Sequence, residues 1–446
     1  MGAVSDLFSI GRSALNAYST ALATTSHNVA NAATPGFSRQ RVDFATQTPT
    51  GVLGNGVQAA QVRRINDTYL QSRLTDDGAA ASRHGTARDL LIRADKMLSD
   101  PLSGLAAPLQ TFNAAVQGLM ADPASLSARR VVLAEAQGMA DRFAQLDAGF
   151  AQMDREIDGR MASTVSVANG LIDDIAKLNL RIAQSTGGLN GLPPGDLLDQ
   201  RDEAVRQLAE QIGVTTLVQD SGAVSVFLED GQALVLDGQA RHLNLVATTA
   251  TGRYRLTLDA PGGAVPVGRP AGGAMAGLFD ARAQAVDAPR AAMAGLASEI
   301  AGAFNAAQAA GQNLDGNPGT PLFSDPPLRL AIDDPRQLAP AGPPPAGVAD
   351  NSAWDSAARY SGAALSARAA EVVGQLGLSA QQADARASAA SSLAEQALTA
   401  RESVSGVNLD EEAANLLRYQ QSYQAAAQMI ATADTVFQTL LSAVRR

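Results

Sequence analysis

Large apolar residues near the N-terminus recur at intervals of seven positions. The four members of this series are Phe8, Leu15, Leu22 and Val29. Seven residues make about two turns of an α-helix, so the series predicts one helix with a single apolar stripe. The stretch from Ser13 to Ser38 holds no Asp, Glu, Lys or Arg. Because a helix that faces water normally carries charged residues, we expect neighbours to cover its remaining faces.

The end of this first helix is predicted from the sequence Thr34-Pro35-Gly36-Phe37. A residue before proline is disfavoured in helical conformation, and Pro-Gly suits the central positions of a type II turn. Phe37 is expected to be buried at the corner. We therefore predict that Pro35, Gly36 and Phe37 form a turn between the terminal helix and the next domain.

A second and longer series with the same spacing occupies the C-terminus. Its members are Leu409, Leu416, Tyr423, Ile430, Phe437 and Val444, with Tyr419, Ala426, Ala433 and Leu440 on the adjoining row. The stretch from Tyr419 to Ala433 again carries no charged residue. Two amphipathic helices packed within a monomer would explain both stripes, but not these uncharged stretches.

We therefore predict that the terminal stripes stack on each other and that many subunits pack laterally around them. The predicted assembly interface consists of Phe8, Leu15, Leu22, Val29, Leu409, Leu416, Tyr423, Ile430 and Phe437.

Further helices are predicted between the termini. Helical spacing predicts a long helix that begins with Asp122 as its N-cap and runs to Thr186, where the Gly- and Pro-rich sequence TGGLNGLPPG ends it. The spacing fits either an unbroken helix or one broken once near Gly149 or Gly159. A shorter helix is expected over residues 196–213, and helical spacing returns over 273–310 and 379–403.

One region of strands interrupts this helical pattern. Over residues 214–270 apolar residues alternate with other residues, and sequences such as EDGQ and LDGQ supply turns. This stretch is predicted to be a small antiparallel β domain. The Pro-rich stretch 339–351 is predicted to be a loop or spacer without a core of its own.

The pattern as a whole predicts a mainly α protein with an inserted β domain and a nested order of domains. Residues 1–36 and 406–446 are expected to form an inner coiled-coil domain. Residues 37–213 and 271–405 are expected to form a helical middle domain, and residues 214–270 an outer β domain.

Composition narrows the classes of function. The net charge of −10 and the lack of any Lys/Arg cluster argue against nucleic acid as the main partner. The chain has no cysteine, so it can form neither a disulfide nor a Cys-based zinc site. The N-terminus lacks the pattern of a cleaved signal peptide, and no apolar run reaches transmembrane length, so neither classical secretion nor membrane insertion is expected.

Candidate chemistry is sparse. The three histidines, His27, His84 and His242, have no Asp, Glu or His at ligand spacing nearby in sequence. The usual hydrolase, metalloprotease and phosphate-binding motifs are missing, and acidic pairs such as Glu411-Glu412 are better explained as solvated faces or salt bridges between chains. We expect no catalytic residue, metal or cofactor. A secreted enzyme, for instance a cell-wall hydrolase, would need a catalytic pair, and the sequence offers none.

Two terminal sequences carry a family resemblance. SALNAYSTALATTSHNVANAATPGFSRQRV at 13–42 and VNLDEEAANLLRYQQSYQAAAQMIATADTVFQTLL at 407–441 resemble the signatures of the axial proteins of the bacterial flagellum. Within this group PGFSRQRV, the helix DLLDQRDEAVRQLAEQIGV at 196–214 and SVSGVNLDEE are most similar to the FlgK family, the hook-associated proteins 1. The closest competitors within the group are the hook protein and the distal rod protein.

The resemblance implies a structural, non-enzymatic subunit. Such proteins are exported unfolded through the flagellar type III apparatus without a cleaved signal, and act outside the cell at the hook-filament junction. The implied partners are further copies in a ring, the hook protein, a second junction protein and an export chaperone at the C-terminal helix. The terminal segments would form the inner tube, and β-rich insertions would face outward.

Overall fold

A computed structural model describes residues 2–47, 56–185, 194–219, 222–248 and 253–444. The helices are α1 (Gly2–Ala30), α2 (Thr68–Ser99), α3 (Ala106–Ala121), α4 (Leu126–Ser185), α5 (Gly195–Ile212), α6 (Gly273–Ala281), α7 (Ala288–Ala310), α8 (Asp355–Arg359), α9 (Leu365–Ser405) and α10 (Leu409–Val444). Short π-helical stretches lie at Arg282–Asp287 and Tyr360–Ala364. Helices dominate, which confirms the predicted fold class.

The strands are short and antiparallel. They are β1 (Gln40–Thr46), β2 (Val57–Arg64), β3 (Thr215–Val218), β4 (Val224–Phe227), β5 (Ala233–Leu236), β6 (Gln239–Ala240), β7 (Leu243–Ala247), β8 (Tyr254–Leu258), β9 (Val265–Pro266), β10 (Phe323–Ser324) and β11 (Arg329–Leu330). Within the predicted β domain the strands form two sheets, of order β3-β4-β5-β6 and β7-β8-β9.

The chain divides into two compact units. The first unit comprises Met1–Ala80, Val165–Gly273 and Ser391–Arg446, and the second comprises Ala81–Thr164 and Ala274–Ala390. The β insertion and both terminal helices thus belong to one unit. The nested division into inner, middle and outer domains concerns layers of an assembly and stays a prediction.

In the first unit, α1 and α10 pack as an antiparallel pair. The ring centroids of Tyr18 and Tyr419 lie 6.5 Å apart, and Asn28 reaches Glu412 near the other end. At Gly11 an added Cβ would come within 2.6 Å of Ile430 Cγ1, so a glycine there lets the helices approach closely.

Small residues, and not the large apolar ones, fill most of the buried positions of this pair. The buried residues with small side chains are Gly11, Ala14, Ala17, Ala21, Ala426 and Ala433. The C-terminal buried row is therefore the one that adjoins the predicted stripe. Within one chain the two helices therefore meet mainly through small residues and not through their two large apolar stripes. Small side chains allow the helices to come closer together. The side chains of Leu440 and Val444 lie outside the described residues.

Between α1 and α2 the chain forms a hairpin that the sequence pattern did not predict. Strands β1 and β2 pair from Gln40 with Arg64 to Thr46 with Val57, with an irregularity between Asp43 and Phe44. Phe44 packs 5.8 Å from the ring of Tyr18. The irregular register explains why a strict two-residue alternation is absent.

Two asparagines of α4 hold the two sheets of the β insertion. Asn169 Nδ2 donates to Leu243 O, and Leu243 N donates to Asn169 Oδ1, both at 2.9 Å. Asn179 makes the same pair of bonds with Val224, at 2.8 and 3.0 Å, and also donates to Asp237 O at 2.7 Å. Each side chain satisfies a backbone N–H and C=O as a neighbouring strand would.

The second unit is a helical bundle with an aromatic core. The rings of Phe112 and Phe304 lie 4.9 Å apart, and Phe304 lies 5.6 Å from Trp354. Buried Arg129 donates to the carbonyls of Pro123 and Leu338, and burial, with a smaller effect of the Arg336 charge, lowers the pKa of Arg129 to about 10.

Several predicted elements differ in detail. The long helix is continuous to Ser185, but it begins at Leu126, where the Ser125 hydroxyl caps it by accepting from Ala128 N at 3.3 Å. Asp122 instead follows the end of α3. Most of the predicted terminating sequence, residues 186–193, lies outside the described residues.

The two remaining differences concern the C-terminal half. Helix α9 begins at Leu365, fourteen residues before the predicted start at 379. The Pro-rich stretch is irregular, but its first residues are packed: Ala339 is fully buried, and its backbone N donates to Gln308 Oε1 at 2.6 Å. It is therefore anchored to α7 and is not a free spacer.

We predict that Asn179→Asp destabilises the protein by about 2–3 kcal/mol, because a carboxylate would face the carbonyls of Val224 and Asp237 without a donor. Asn16→Asp, at an exposed helix position, is the control and should cost less than about 0.5 kcal/mol. Urea unfolding followed by circular dichroism measures both, and equal values for the two variants would contradict the role given to Asn179.

Candidate assembly surface

Three separated stretches meet at the end of α1: the turn after this helix, the start of α5 and the start of α10. We call this cluster the joint and define it as residues 27–40, 196–203 and 401–412 together with Arg64. All of it lies in the first unit. The three stretches are those that carry the family resemblance.

The turn itself has the predicted geometry. Phe37 N donates to Thr34 O at 3.2 Å, Pro35 lies between them, and Gly36 has φ +78°. An added Cβ at Gly36 would lie 3.1 Å from Glu203 Cβ, so both conformation and space favour glycine. Phe37 is buried, as expected. A role of the turn between domains stays a prediction.

A buried carboxylate links α10 to this turn. Glu412 is 2% exposed, and its Oε1 accepts from Arg39 Nε at 2.7 Å while its Oε2 accepts from Asn28 Nδ2 at 3.1 Å. Arg39 NH1 also donates to Glu411 at 2.6 Å. Burial lowers the pKa of Arg39, but the hydrogen bond to Glu411 and the Glu412 charge outweigh it and raise the pKa above its usual range. The pair is intramolecular, so the expectation of solvated or interchain carboxylates is wrong for Glu412.

A second buried carboxylate links α5 to the turn. Asp199 accepts from Ser38 N and from Arg64 NH1, both at 2.8 Å, and Arg64 NH1 also lies 2.8 Å from Asp202. Burial raises the pKa of Asp199, while the bonds from Arg64 and Ser38 partly offset that rise. Arg401, from the end of α9, donates to Gly36 O at 2.7 Å and to Ser38 Oγ at 2.9 Å.

Two of the three histidines, His27 and His242, have acidic partners, contrary to expectation, because those partners come from distant segments. His27 Nε2 lies 3.0 Å from Asp196, which also accepts from Gln40 Nε2 at 2.7 Å. His242 Nε2 lies 2.9 Å from Asp173. The residues that the structure describes contain no cluster of three or more His, Cys, Asp or Glu side chains suited to a metal.

None of the nine predicted interface residues is fully buried, although Ile430 also packs on Gly11. Val29, Leu409, Tyr423 and Phe437 are 38% to 55% exposed. The remaining ones, Phe8, Leu15, Leu22, Leu416 and Ile430, are half-buried. Further exposed apolar residues of α10 extend the surface: Leu417, Met429, Val436 and Leu441. We call these residues together the tube surface.

The sequence therefore indicated the surface but missed the joint. Arg39 and Glu412 are 373 positions apart, and no spacing rule connects them. The available signal was local: charged residues resume at once on both sides of the uncharged terminal stretches.

None of the helices that the structure describes is both long and apolar enough to cross a bilayer.

We predict that Glu412→Gln destabilises the helix pair by about 2–4 kcal/mol, because it removes the buried one of the two carboxylates that pair with Arg39. Glu411→Gln is the matched control. That residue pairs with the same arginine, but its side chain is 57% exposed, so its loss should cost less than about 1 kcal/mol. Urea unfolding of full chains compares them, and a larger loss for Glu411→Gln would be evidence against the joint.

Known protein families match both ends and the middle of the chain. The family described as "Flagella basal body rod protein" matches residues 8–37, and "Flagellar basal body rod FlgEFG protein C-terminal" matches 401–443. The first match ends at Phe37, at the turn. "Flagellar hook-associated protein FlgK helical domain" matches residues 91–323.

Individual relatives agree with these families. The chain is 32% identical to flagellar hook-associated protein 1 of Salmonella typhimurium over 72% of this chain, and it spans 60% of the length of that relative. It is 26% identical to flagellar hook-associated protein 1 of Bacillus subtilis, over 97% of this chain and 96% of the relative.

A solved structure shares the fold. The flagellar hook junction protein FlgK from Burkholderia pseudomallei aligns with a TM-score of 0.50 and 28% identity, over 56% of this chain and 46% of that one. Because the FlgK helical-domain family alone matches more than half of the residues, we conclude that the chain belongs to the FlgK family of flagellar hook-associated proteins.

Proposed function

We propose that this chain is a structural subunit of the bacterial flagellum that assembles at the distal end of the hook and joins the hook to the filament. The observation that carries the proposal is the tube surface. A helix pair with its own buried contact still leaves many of its large apolar residues half-exposed or exposed. The names of the relatives, hook-associated protein and hook junction protein, support this site of action.

Physical chemistry supports lateral assembly through this surface. Soluble monomers rarely expose a long apolar row. Burying a large apolar side chain contributes up to about 1.5–3 kcal/mol, so covering the partly exposed residues on both helices favours a tube of copies. We propose that the nine predicted interface residues, from Phe8 to Phe437, contact neighbouring copies in a ring.

We also propose that the parts of the chain lie in three layers of the assembly. Residues 1–36 and 406–446 would line the inner tube, residues 37–213 and 271–405 the middle layer, and residues 214–270 the outside. Pro35, Gly36 and Phe37 would then form the turn between the first two layers. Two hydrogen bonds at that turn support a fixed angle there: Arg401 donates to Gly36 O, and Ser38 N donates to Asp199.

The proposed partners are the hook protein, the second junction protein and the flagellar type III export apparatus. An export chaperone is proposed to bind α10 in a groove, since an amphipathic helix with an exposed apolar row suits that mode of binding. The chain is proposed to act outside the cell, in the flagellum, and without catalysis.

Deletion of the gene tests the proposed function. Electron microscopy of the cells should show hooks that carry no filaments, and expression of this chain should restore the filaments. Cells that lack hooks would instead indicate a rod or hook subunit, and normal filaments would contradict the proposal altogether.

A single substitution tests the tube surface. Leu409→Ser should strongly reduce the number of filaments per cell, because the exposed leucine would no longer contact a neighbour. Leu378→Ser is the matched control: both leucines are 55% exposed, but Leu378 lies outside the proposed interface. Each change should alter the stability of the free subunit by less than about 1 kcal/mol. Normal filament numbers with Leu409→Ser would argue against this surface.

A further inference from the structure

The two sheets of the β insertion carry opposite charge. In the described residues of 214–240 the only charged side chains are the carboxylates Glu229, Asp230 and Asp237. In the described residues of 241–270 four arginines outnumber one aspartate: Arg241, Arg253, Arg255, Arg269 and Asp259. One small domain thus has an acidic sheet beside a basic one.

The acidic sheet ends in an exposed strand. Strand β3 is the edge of its sheet, and all four of its residues are exposed, with Leu217 at 61% and Val218 at 65%. It carries no charge of its own, although edge strands of soluble proteins are usually protected by charged residues, proline or a covering element. Exposed Glu229 lies two positions after Phe227, the partner of Thr215 in β3. We call Leu217, Val218 and Glu229 the edge patch.

The basic sheet has its own exposed apolar group. Val246 and Arg255 lie opposite each other in strands β7 and β8, and both are exposed. Tyr254, the next residue, is also exposed. The opposite face of the same two strands holds the buried Leu256 and Leu258, so Val246 and Arg255 point away from the core. Tyr254 is on the same face as Leu256, so we call only Val246 and Arg255 the hairpin patch.

We propose that the edge patch of one copy docks on the hairpin patch of the next copy around the ring. This inference rests on the proposed function, which supplies the ring. Each patch combines at least one apolar side chain with one charge, and the charges are opposite, so Glu229 of one copy can pair with Arg255 of its neighbour. Pairing either patch with itself would place like charges together.

The geometry of a ring agrees with this choice. A closed ring is built from head-to-tail contacts, in which each subunit uses two different surfaces. Two unlike patches on one domain meet that requirement, whereas a self-complementary surface would give only pairs. Charges at the rim of such a contact mainly determine orientation and partner choice, which is the function that Glu229 and Arg255 would have.

Cross-linking on assembled flagella tests the docking. The chain contains no cysteine, so introduced thiols are unique. A chain that carries both Leu217→Cys and Val246→Cys, treated on intact flagella with a short thiol cross-linker, should give dimers and a ladder of larger species. Either single variant alone should give none, while a mixture of the two single variants should give dimers. A chain with Leu217→Cys and Leu378→Cys is the control and should give no ladder.

Reciprocal charge reversal provides a second readout. Glu229→Arg or Arg255→Glu alone should reduce cross-linking by about threefold, and the two together should restore it. If the cysteine variants form no filaments, the charge reversals are tested without introduced cysteines, by measuring cell motility. Each single reversal should reduce motility, and the double reversal should recover it.

The outcomes separate this proposal from the proposed function. Filaments without any ladder, dimers from Leu217→Cys alone, or a double reversal no better than the single ones would overturn the docking and leave the junction function in place. Failure of the unmodified chain to restore filaments in the deletion strain would overturn the junction function and this docking with it.

Discussion

The buried carboxylate of Glu412 is the interaction on which the terminal part of the molecule depends. It receives hydrogen bonds from Arg39 and Asn28, so one side chain of α10 fixes the turn and the last part of α1 together. A carboxylate taken out of water is costly unless it is paired and hydrogen-bonded. Helix α10 can therefore dock fully only where α1 and its turn are already in place, and the same holds in reverse. Asp199, with Ser38 and Arg64, extends this dependence to α5.

The joint explains how the helix pair can keep large apolar side chains exposed while its own structure stays fixed. The small residues at Gly11, Ala17 and Ala426 bring the two helices close, and the joint fixes one end of the pair. Larger side chains such as Leu409 and Phe437 then remain on the outside, where one chain has nothing to cover them fully. In the proposed assembly, neighbours complete that burial. Isolated helices gain little stability without tertiary contacts, so the terminal helices would become fully ordered only on assembly.

Periodicity predicted the elements well because it depends on local geometry. Helices α1, α5 and α10, the two sheets of the insertion and the turn at Pro35-Gly36 were all expected from the sequence. Periodicity was weaker at choosing between neighbouring rows of one helix. Leu416 and Phe437 are larger than Ala426 and Ala433, yet the alanines are buried, because close helix contact selects for small volume. The hairpin of β1 and β2 was missed because its register is irregular at Asp43. Contacts between residues as distant as Arg39 and Glu412 leave no periodic signal at all.

The central claim is that the terminal helix pair is completed by neighbouring copies. Hydrogen exchange of the backbone amides in residues 2–34 and 408–444 tests it most directly, in the free subunit and in assembled flagella. In the free subunit we expect rapid exchange of the amides away from the joint, in residues 2–26 and 413–444, and in assembled flagella we expect strong protection of both segments. Strong protection of both segments in the free subunit would contradict it, because the pair would then be complete within one chain.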